Sequence, residues 1–512
     1  MIRSAEPQEI ELKLRLPATA VRRLSAHPLL RGVWPVSRRL YTIYYDTPDF
    51  ELKARGVALR LRREGKRWMQ TLKGGGRATG GLHRRLEIER AVAGQAVDWD
   101  MLAAGPYADL FSIRRLQARL RPVFATRFVR SERRLEPAPG LVIDAAVDRG
   151  AIVGGRRSEP LCELELELKA GRPAALYEFA QRLARRVPLA IENRTKAERG
   201  YALKAGEVAQ PVKARGVLLE GGATVDGAFR SIGAAALDHL QANAAGVLAG
   251  EDPEYVHQMR VALRRMRSAF RLFAPVLPED AMTRFVEEMR WLAGALGPAR
   301  DWDVFVDESL PQFSAKIREP AARAALEKAA KRMRRHANRT ARRTVGSSRY
   351  RLFTLSLAGW IAASKWADEP GPAAAPLARP VLEFAAETLD RRRARVRKRG
   401  RKLASRTPGE LHRLRIAIKQ LRYAADFFSG LYAKEPARRM LRQLSGLQDI
   451  LGAMNDAAQA ERLIAVCDTS SLGGVRAAAG RALETWNRKR MPALRRKLTR
   501  AWAAFRAQAR FW

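Results

Sequence analysis

Charged and apolar residues alternate strictly near the start of the chain. Over residues 9–16 every charged side chain falls on one parity and every apolar side chain on the other, which is the period of a β-strand with one charged face. The pattern returns near residue 163, where Glu163, Glu165, Glu167 and Lys169 share a parity and leucines take the positions between them. We therefore predict two strands whose charged faces line an enclosed space.

Shorter segments between these strands have the same one-sided charge. They contain Arg60 and Arg62, Thr71 and Lys73, Arg85, Glu87 and Glu89, and Asp144 with Asp148. A closed antiparallel barrel with its polar faces inward accommodates many such strands, because closure also removes the sheet edges. Carboxylates and cations in one confined space favour a cavity for divalent metal ions and a polyanion. The alternative is a solvent-facing sheet with cross-strand Glu–Lys pairs.

The second half of the chain has helical periodicity and an internal repeat. The motif His257-x-x-Arg260-x-x-x-Arg264-x-x-Arg267 recurs 155 residues further on as His412-x-x-Arg415-x-x-x-Lys419-x-x-Arg422. The offset also relates Leu296-Gly297-x-x-Arg300-Asp301 to Leu451-Gly452-x-x-Asn455-Asp456, and Phe229, Phe273 and Leu292 to Phe384, Phe428 and Leu447. Two similar helical bundles are predicted.

These patterns predict an α+β multidomain protein, since 512 residues are too many for one hydrophobic core. We place the barrel domain at residues 1–204, a linker without clear periodicity at 205–221, and an all-α domain at 222–512. The halves of the all-α domain are expected at about 222–368 and 377–512, with the Pro- and Ala-rich residues 369–376 between them.

Charge narrows the choice of partners. Lys and Arg number 96 against 53 acidic residues, a net charge of +43, so polyanions are expected to bind. Aromatic residues make up only 7%, and no helix-turn-helix, RRM, KH or zinc-finger signature is visible, so nucleic acid is expected to bind non-specifically at most. Cys162 and Cys467 are expected to be free thiols in a reducing cytoplasm, and no apolar stretch predicts a membrane span.

The first two-fifths of the chain resembles the CYTH domain of the triphosphate tunnel metalloenzymes, most closely the bacterial inorganic triphosphatases. The motifs are Glu9-x-Glu11-x-Lys13, Tyr44-Tyr45-Asp46-Thr47-Pro48-Asp49, Leu59-Arg60-Leu61-Arg62, Thr71-Leu72-Lys73, Gly81-Leu82-His83, residues 162–167 and residues 196–201. The resemblance implies an eight-stranded tunnel in which glutamates hold Mg²⁺ or Mn²⁺ and basic residues grip a triphosphate. Hard divalent cations do prefer carboxylate oxygens.

The resemblance and the inward parity together give a candidate site. The expected metal ligands are Glu9, Glu11, Glu165 and Glu167, and Glu163 is a further ligand or orients the attacking water. Catalysis is expected to involve these five glutamates and Lys13. The expected substrate clamps are Lys13, Arg60, Arg62, Lys73, Arg85, Arg130 and Lys196. Asp144 and Asp148 are candidates for a second metal, Lys169 has no assigned role, and His83 is interpreted as a loop residue.

The second half resembles a CHAD domain through its His-x-x-Arg repeat and the segment Arg300-Asp301-Trp302-Asp303. That resemblance implies binding of long inorganic polyphosphate on a basic surface between the two bundles. The expected contacts are His257, Arg260, Arg264 and Arg267 with His412, Arg415, Lys419 and Arg422. The two histidines are expected to pack or to contact phosphate, and metal ligation is the alternative.

The expected activity is metal-dependent hydrolysis of inorganic triphosphate or of short polyphosphate ends, with polyphosphate bound by the helical half. One alternative within the same fold is a nucleotide or thiamine triphosphatase, or an adenylate cyclase. Another is a non-enzymatic polyanion-binding protein. Localisation is expected to be cytoplasmic, with association to polyphosphate granules as a further expectation.

Overall fold

The computed structural model describes residues 8–30, 36–250, 252–364, 374–467 and 474–512. It divides into two compact units. The first contains Met1–Gln210 together with Ser348–Ala363, and the second contains Pro211–Ser347 together with Ser364–Trp512. The predicted linker at 369–376 lies largely outside the described residues.

An eight-stranded antiparallel barrel forms the first unit. Its strands are β1 (Gln8–Arg15), β2 (Val36–Asp46), β3 (Val57–Glu64), β4 (Arg67–Thr79), β5 (Leu82–Val92), β6 (Arg121–Ala138), β7 (Leu141–Gly154) and β8 (Arg157–Ala170). They are arranged in the order β5-β4-β3-β2-β6-β7-β8-β1, and pairing of β1 with β5 closes the barrel. A short strand, β9 (Ala190–Ile191), pairs with β1. The predicted closed barrel is confirmed.

Alternation along the strands separates a charged interior from an apolar exterior. On β1 and β8, Leu12, Leu14, Leu164 and Leu166 are all fully buried on the outer face. Helices cover this face, because an apolar outer surface must itself be removed from water. They are α1 (Val21–Ser25), α2 (Glu51–Ala54), α3 (Trp99–Ala103), α4 (Ala108–Phe111), α5 (Arg114–Arg119), α6 (Pro173–Ala184) and α7 (Lys196–Ala205).

The Tyr-Tyr-Asp-Thr-Pro-Asp motif forms a turn around a fully buried carboxylate. Asp46 accepts hydrogen bonds from the backbone N–H of Thr47, Leu52 and Lys53 and, at 2.8 Å, from the hydroxyl of Tyr201. These bonds hold the start of α2 and the middle of α7 at the end of β2. The motif therefore joins the barrel to α7, which carries Lys196.

Two local features complete the description of the barrel. Residues 18–25 form a 3₁₀ turn, Ala18–Ala20, followed by the short α1. The glycines at 74–76 lie inside β4, where the register with β5 shifts between Gly74 and Arg77, so they form a bulge; only Gly80 and Gly81 make the hairpin. Bulges add a residue to one strand without changing the hydrophobic pattern on either side, which is why the sequence did not reveal it.

The second unit contains two antiparallel helical bundles with related boundaries. The helices are α8 (Val225–Ala242), α9 (Ala244–Ala249), α10 (Glu254–Phe273), α11 (Glu279–Val304), α12 (Leu310–Ser314), α13 (Pro320–Val345), α15 (Ala374–Ala378), α16 (Val381–Arg399), α17 (Pro408–Phe428), α18 (Lys434–Val466) and α19 (Val475–Ala507). A π-helical turn, Phe305–Ser309, connects α11 to α12. The helix between α13 and α15, α14 (Ser348–Ala363), belongs to the first unit.

The repeat predicted from sequence is visible in the core of the second unit. Phe229 lies 5.2 Å from Phe273 between ring centroids, and the equivalent pair Phe384 and Phe428 is 6.3 Å apart. Phe273 also stacks on Phe384 at 5.1 Å. The four rings form one aromatic cluster where the two bundles meet, as expected for repeats that bury equivalent faces against each other.

Residues 207–220 contain no regular secondary structure. Part of this segment is nevertheless anchored to the helical unit, because the side-chain amide of Asn243 exchanges hydrogen bonds with the backbone of Val212 in both directions. Across the described residues, no helix is both long enough and apolar enough to span a bilayer.

Candidate functional site

The barrel interior contains a charged cavity of about 420 Å³ that continues into a second one of about 440 Å³. Both are lined by Glu9, Glu11, Arg130, Glu165 and Glu167. Of the other predicted residues, the first cavity is also lined by Lys13, Arg60, Arg62, Lys73, Arg85 and Lys196. The structure therefore brings together all of the proposed metal ligands and clamps of the first domain in one tunnel.

The four proposed metal ligands lie on the adjacent strands β1 and β8, and three of them, Glu9, Glu11 and Glu167, crowd together. Glu11 on β1 lies directly opposite Glu167 on β8, and Glu9 precedes Glu11 on the same face. Burial raises the pKa of Glu167, and the charges of Glu9 and Glu11 raise it further. Such mutual repulsion between carboxylates is relieved by a bound divalent cation.

Lys13 extends from the neighbouring position on β1 into the same wall. Its ammonium lies 2.8 Å from Glu11 and also binds Glu165, which faces Lys13 across the β1–β8 pairing. Burial alone would lower the pKa of Lys13, but Glu11 and Glu165 outweigh burial and raise it. Lys13 is therefore cationic throughout the neutral range.

Lys196 reaches the tunnel from the first turn of α7. A capping box fixes that turn, with Thr195 and Glu198 bonding each other's backbone N–H. The Lys196 ammonium lies 2.7 Å from Asp148 and 2.9 Å from Glu165, and it also binds Glu163. The position of the lysine is therefore set by local helix capping as well as by buried charge.

Asp148, Glu163 and Glu165 form a buried acidic triad whose oxygens lie within 4.8 Å of one another. The ammonium of Lys196 already occupies the centre of this triad. Burial raises the pKa of Glu163, whereas Lys196 and Arg130 outweigh burial and hold the pKa of Asp148 below its usual value. The triad therefore binds the Lys196 ammonium, and metal binding at the triad would require Lys196 to move.

Other predicted acids lie near basic partners. Arg130 makes two hydrogen bonds of 2.7 Å to Asp148 and also binds Glu165. Asp144 lines the second cavity and accepts two hydrogen bonds from Arg134. Glu163 is absent from the lining of both cavities, and its second oxygen lies 3.3 Å from Arg199. Lys169 lines the tunnel and pairs with Glu167.

The barrel wall continues from β1 through β5, β4 and β3. Lys73 lies 2.8 Å from Glu9 and 2.7 Å from Glu87, so it joins this wall to the metal-ligand strand. Arg60 lies 3.1 Å from Glu87, and Arg62 lies 3.1 Å from Glu89. Lys73, Arg60 and Arg62 therefore already have carboxylate partners, and an incoming polyanion would compete with those carboxylates.

His83 is the second residue of strand β5, so its interpretation as a loop residue is wrong. Only 1% of its surface is exposed, and burial, with Lys13 and Arg85, lowers its pKa to about 3. Its Nε2–H donates to the carbonyl of Glu192 at 3.2 Å, which leaves Nδ1 to accept a hydrogen bond from Arg85. A neutral histidine therefore positions a clamp arginine.

Sequence reasoning missed several cations, among them Arg38 and Arg199. Arg38 lines both cavities and lies 2.5 Å from Glu132; it has the same parity on β2 as Thr42 and Tyr44, a signal that could have identified it. Arg199, only 3% exposed, binds Glu159 at 2.7 Å and the Glu163 carboxylate. It lies on helix α7, so strand periodicity could not reveal it.

The chemistry of the donors in the tunnel fits a hard divalent cation. Glu9, Glu11, Glu165 and Glu167 offer only carboxylate oxygens to the shared space, and the described lining contains neither histidine nor cysteine. Oxygen-only donor sets favour Mg²⁺, Mn²⁺ or Ca²⁺ over zinc. The crowding of Glu167 by Glu9 and Glu11 supplies the electrostatic reason for binding one.

The basic residues of the helical unit lie together where α10 and α17 approach each other, a region called here the basic groove. Arg264 donates to the hydroxyl of Tyr423 at 3.2 Å. Burial lowers the pKa of Lys419 to about 8, and Arg415, Arg264, Arg260 and Arg422 contribute in the same direction. The predicted basic residues form one stripe on each helix, with Arg260, Arg264 and Arg267 on α10 and Arg415, Lys419 and Arg422 on α17. The two basic stripes therefore share one region of positive potential.

Repeat-related acids flank this groove. Arg260 lies 3.7 Å from Asp301, and their equivalents Arg415 and Asp456 also interact. Burial and Arg300 lower the pKa of His257 to about 4, so this histidine is neutral. His412 is exposed and lines a cleft of about 520 Å³ with Arg415.

The outer residues of the two stripes differ in their surroundings. Arg422 donates to the side-chain oxygen of Gln448 at 3.0 Å and lies 4.9 Å above the ring of Tyr423. Burial lowers the pKa of Arg267, and Arg271 and Arg290 lower it further. The two halves are therefore equivalent near Arg264 and Lys419 but not at their ends.

Comparison with known families agrees with both units. Residues 7–201 match the CYTH domain and residues 231–465 match the CHAD domain. The chain therefore carries a CYTH domain followed by a CHAD domain, as the sequence motifs predicted.

Two similar proteins define the relationship further. An inorganic triphosphatase of Haemophilus influenzae is 31% identical over 200 residues, which are 38% of this chain and 55% of that protein. The match therefore spans about half the length of this curated relative. The crystal structure of the CHAD domain from the plant Ricinus communis is 29% identical with a TM-score of 0.51, and the match covers 59% of this chain and 99% of the plant domain.

Proposed function

We propose that the barrel hydrolyses inorganic triphosphate, or the ends of short polyphosphate chains, with Mg²⁺ or Mn²⁺. The observation that carries the proposal is the tunnel itself, where four carboxylates on β1 and β8 share one cavity with nine lysine and arginine side chains. The similarity to an inorganic triphosphatase supports the same reaction class. A small, highly charged linear substrate fits a tunnel lined almost wholly by ionised groups.

Each group of tunnel residues would have its own role in the reaction. Glu9, Glu11, Glu165 and Glu167 would hold the metal, which supplies charge neutralisation and a lowered pKa for bound water. Lys13, Arg60, Arg62, Lys73, Arg85, Arg130 and Lys196 would bind the phosphate oxygens and orient the terminal phosphorus toward water. Glu163 holds Lys196 in place, and its assignment as a metal ligand or water-orienting group stays a prediction.

Substrate binding would exchange one set of ion pairs for another. Lys73 now contacts Glu9 and Glu87, and Arg130 contacts Asp148 and Glu165. Phosphate oxygens would take these cations while the metal takes the carboxylates, so the interior remains compensated in both states. Developing charge on the transferred and leaving groups then meets fixed cations, which is the main requirement of phosphoryl transfer.

A substrate panel tests this activity. Phosphate release is measured from tripolyphosphate, ATP, thiamine triphosphate and long polyphosphate, with Mg²⁺, Mn²⁺ or chelator. We expect metal-dependent release that is fastest with tripolyphosphate. Preference for a nucleotide would favour the nucleotide triphosphatase alternative, and no release from any substrate would favour a binding protein.

We also propose that the helical unit binds inorganic polyphosphate along the basic groove. The supporting observation is the concentration of cations from both repeats around Lys419, where Arg260, Arg264 and Arg415 all lower its pKa. Such a cluster is electrostatically unfavourable alone and is neutralised by a polyanion. Binding of this kind would permit association with polyphosphate granules.

Equivalent triple variants test the groove. Replacing Arg260, Arg264 and Arg267 by Gln should weaken polyphosphate binding about as much as replacing Arg415, Lys419 and Arg422, because both stripes contribute to one surface. Tripolyphosphate hydrolysis should change little in either variant. Normal binding by one triple variant would contradict a shared surface.

A further inference from the structure

The two basic stripes of the helical unit end differently. On α10 the stripe continues from Arg267 to Arg271, whereas the equivalent of Arg271 on α17 is Asp426. Asp426 pairs with Arg265, so this end of the second repeat is neutralised within the protein. The positive potential of the groove therefore extends past α10 on one side only.

Two further arginines lie close to the end of α10, and a third lies beside one of them, since Arg392 interacts with both Arg271 and Arg395. Phe273 stacks on Phe384 with ring centroids 5.1 Å apart, which places the start of α16 beside the last turn of α10. Arg392 and Arg395 lie further along α16. Arg392 is about 12 Å along the helix axis from Phe384. Arg290 of α11 interacts with Arg267.

The five residues Arg267, Arg271, Arg290, Arg392 and Arg395 are named here the α10 end cluster. Throughout the described chain, none of the five makes an ion pair with a carboxylate. Burial lowers the pKa of Arg392 to about 10, and Arg391, Arg395 and Arg271 lower it further. Uncompensated guanidinium groups at this density require an external anion.

The second repeat has no equivalent cluster. At the positions 155 residues away from Arg271, Arg290, Arg392 and Arg395 the chain has Asp426, Ser445, Leu237 and Leu240. Leu237 and Leu240 are buried in the core, whereas Arg392 is half-buried and Arg395 exposed. Arg392 and Arg395 therefore stand at positions that are part of the core in the other repeat. The repeat symmetry of the fold does not explain why they are arginines.

We propose that the α10 end cluster is an additional anion site that extends the groove on one side and binds the continuation of a long inorganic polyphosphate chain. This inference rests on the proposed polyphosphate binding and adds a length preference and a direction to it. Chains that span only the two stripes would not reach the cluster, whereas longer chains would contact both.

Polyphosphate fits this surface better than nucleic acid does. The aromatic rings beside the cluster, Phe270, Phe273 and Phe384, are at most 4% exposed and cannot stack on a base. Single-stranded nucleic acid binding relies on such stacking together with backbone charge. A chain that offers only phosphate oxygens matches a surface that offers only guanidinium groups.

The test compares two triple variants of the full chain. Arg271→Gln, Arg392→Gln and Arg395→Gln remove three charges from the cluster. The matched control, Arg335→Gln, Arg339→Gln and Arg343→Gln, removes three exposed charges from α13. Binding is measured with a ladder of polyphosphate lengths at 50 and 200 mM salt, and melting temperature confirms that both variants are folded.

We expect the cluster variant to bind long polyphosphate roughly tenfold more weakly at low salt and with a log–log salt slope smaller by about 2, since three phosphate contacts are lost. Its affinity for the shortest bound chains should match that of wild type, and the control should bind every length within about twofold of wild type. Wild-type affinity should rise with chain length beyond the length at which the cluster variant reaches its plateau.

Long-chain affinity equal in the two variants would overturn the inference while leaving polyphosphate binding by the stripes intact. Failure of wild type to bind any polyphosphate would overturn the proposed function and this inference together. A cluster variant that loses affinity for single-stranded DNA but keeps its affinity for polyphosphate would assign the site to nucleic acid and overturn the proposal.

Discussion

Buried charged side chains in the tunnel are stabilised by neighbouring side chains of opposite charge. Lys13 illustrates this, because burial would lower its pKa but Glu11 and Glu165 raise it. Glu165 shows the converse, since Lys13, Lys196 and Arg130 outweigh its burial and lower its pKa. Lys13 and Glu165 are therefore held in their charged forms before substrate arrives, so substrate binding can exchange their ion pairs without changing their protonation.

At the residue scale, His83 should control how tightly the tunnel binds substrate. His83→Leu removes the acceptor for Arg85, so we expect the KM for tripolyphosphate to rise several-fold while kcat changes little. His83→Asn, which keeps a side-chain acceptor, should retain more of the affinity. Steady-state kinetics measures both constants.

The pH dependence of the His83 effect provides its control. Because the pKa of His83 lies at about 3, the residue stays neutral and the difference in KM should be constant between about pH 6 and 9. A difference in KM that titrates near neutrality would contradict the neutral state assigned to His83, and an equal loss in both variants would indicate only a packing role.

Lys419 gives the helical unit a predictable pH response. Its pKa is lowered to about 8, and a bound polyanion favours the charged form. Polyphosphate affinity should therefore fall as pH rises through about 8, because the free protein loses the Lys419 charge. The same depressed pKa means that unfolding takes up a proton above pH 8, so this lysine adds stability as pH rises toward the unfolded value of about 10.4.

Lys419→Arg is the matched variant, because arginine keeps its charge over this range. Affinity for polyphosphate measured from pH 7 to 9 should decline in wild type and remain flat in Lys419→Arg. Parallel curves for the two proteins would show that another group is responsible.

At the element scale, strand alternation and the repeat were readable from the sequence because both are strict periodicities. The charged faces of β1 and β8 follow directly from residues 9–16 and 163–169, and the offset of 155 residues predicted that Phe273 and Phe428 occupy equivalent positions, which the structure places in one aromatic cluster. The bulge at Gly74, the burial of His83 and the capped position of Lys196 were not readable. Each depends on contacts between segments distant in sequence, which a periodic pattern does not encode.

Helix α14 was also not predictable, because its own sequence does not show what it packs against. It lies in the first unit, where Gly359 approaches the ring of Tyr177 on α6 and Ala358 approaches Gly80 in the β4–β5 hairpin. The Tyr177 hydroxyl donates to the carbonyl of Gly80 at 3.0 Å. The chain segment between the bundles therefore supports the hairpin that leads into His83 and Arg85.

This contact gives a prediction for the barrel alone. Residues 1–206 and 222–512 are expected to fold separately, since each has its own core. The fragment 1–206 should nevertheless melt at a lower temperature than the barrel in the full chain, because α6 is uncovered. Adding a peptide of residues 347–364 should restore part of the difference, and calorimetry measures it.

A peptide with Ala358→Trp is the matched control, because the larger side chain would collide with Gly80. The approach is so close that a Cβ atom added to Gly80 would lie 2.8 Å from the Cβ of Ala358. It should stabilise the fragment less. Identical melting of the fragment with and without either peptide would show that α14 contributes nothing to barrel stability.

At the scale of the whole molecule, the net charge of +43 includes two different arrangements of cations. The tunnel compensates its cations with carboxylates, whereas the groove and the α10 end cluster leave many cations without acidic partners. The first arrangement suits a metal and a short substrate, and the second suits a long polyanion. In the proposed function, one chain retained by the helical unit would present its ends repeatedly to the barrel.

The central claim is that the carboxylates of β1 hold a catalytic metal. The most direct measurement is phosphate release from tripolyphosphate by wild type and by Glu9→Gln with Glu11→Gln, with Mg²⁺ or Mn²⁺ and after chelation. A double control, Glu136→Gln with Glu220→Gln, removes the same charge from exposed positions. We expect the tunnel variant to fold, to lose at least about 100-fold in rate, and to show no response to metal, because each removed carboxylate both binds the cation and sets its position. A tunnel variant as active as the control, or a wild-type rate that chelator leaves unchanged, would contradict the account.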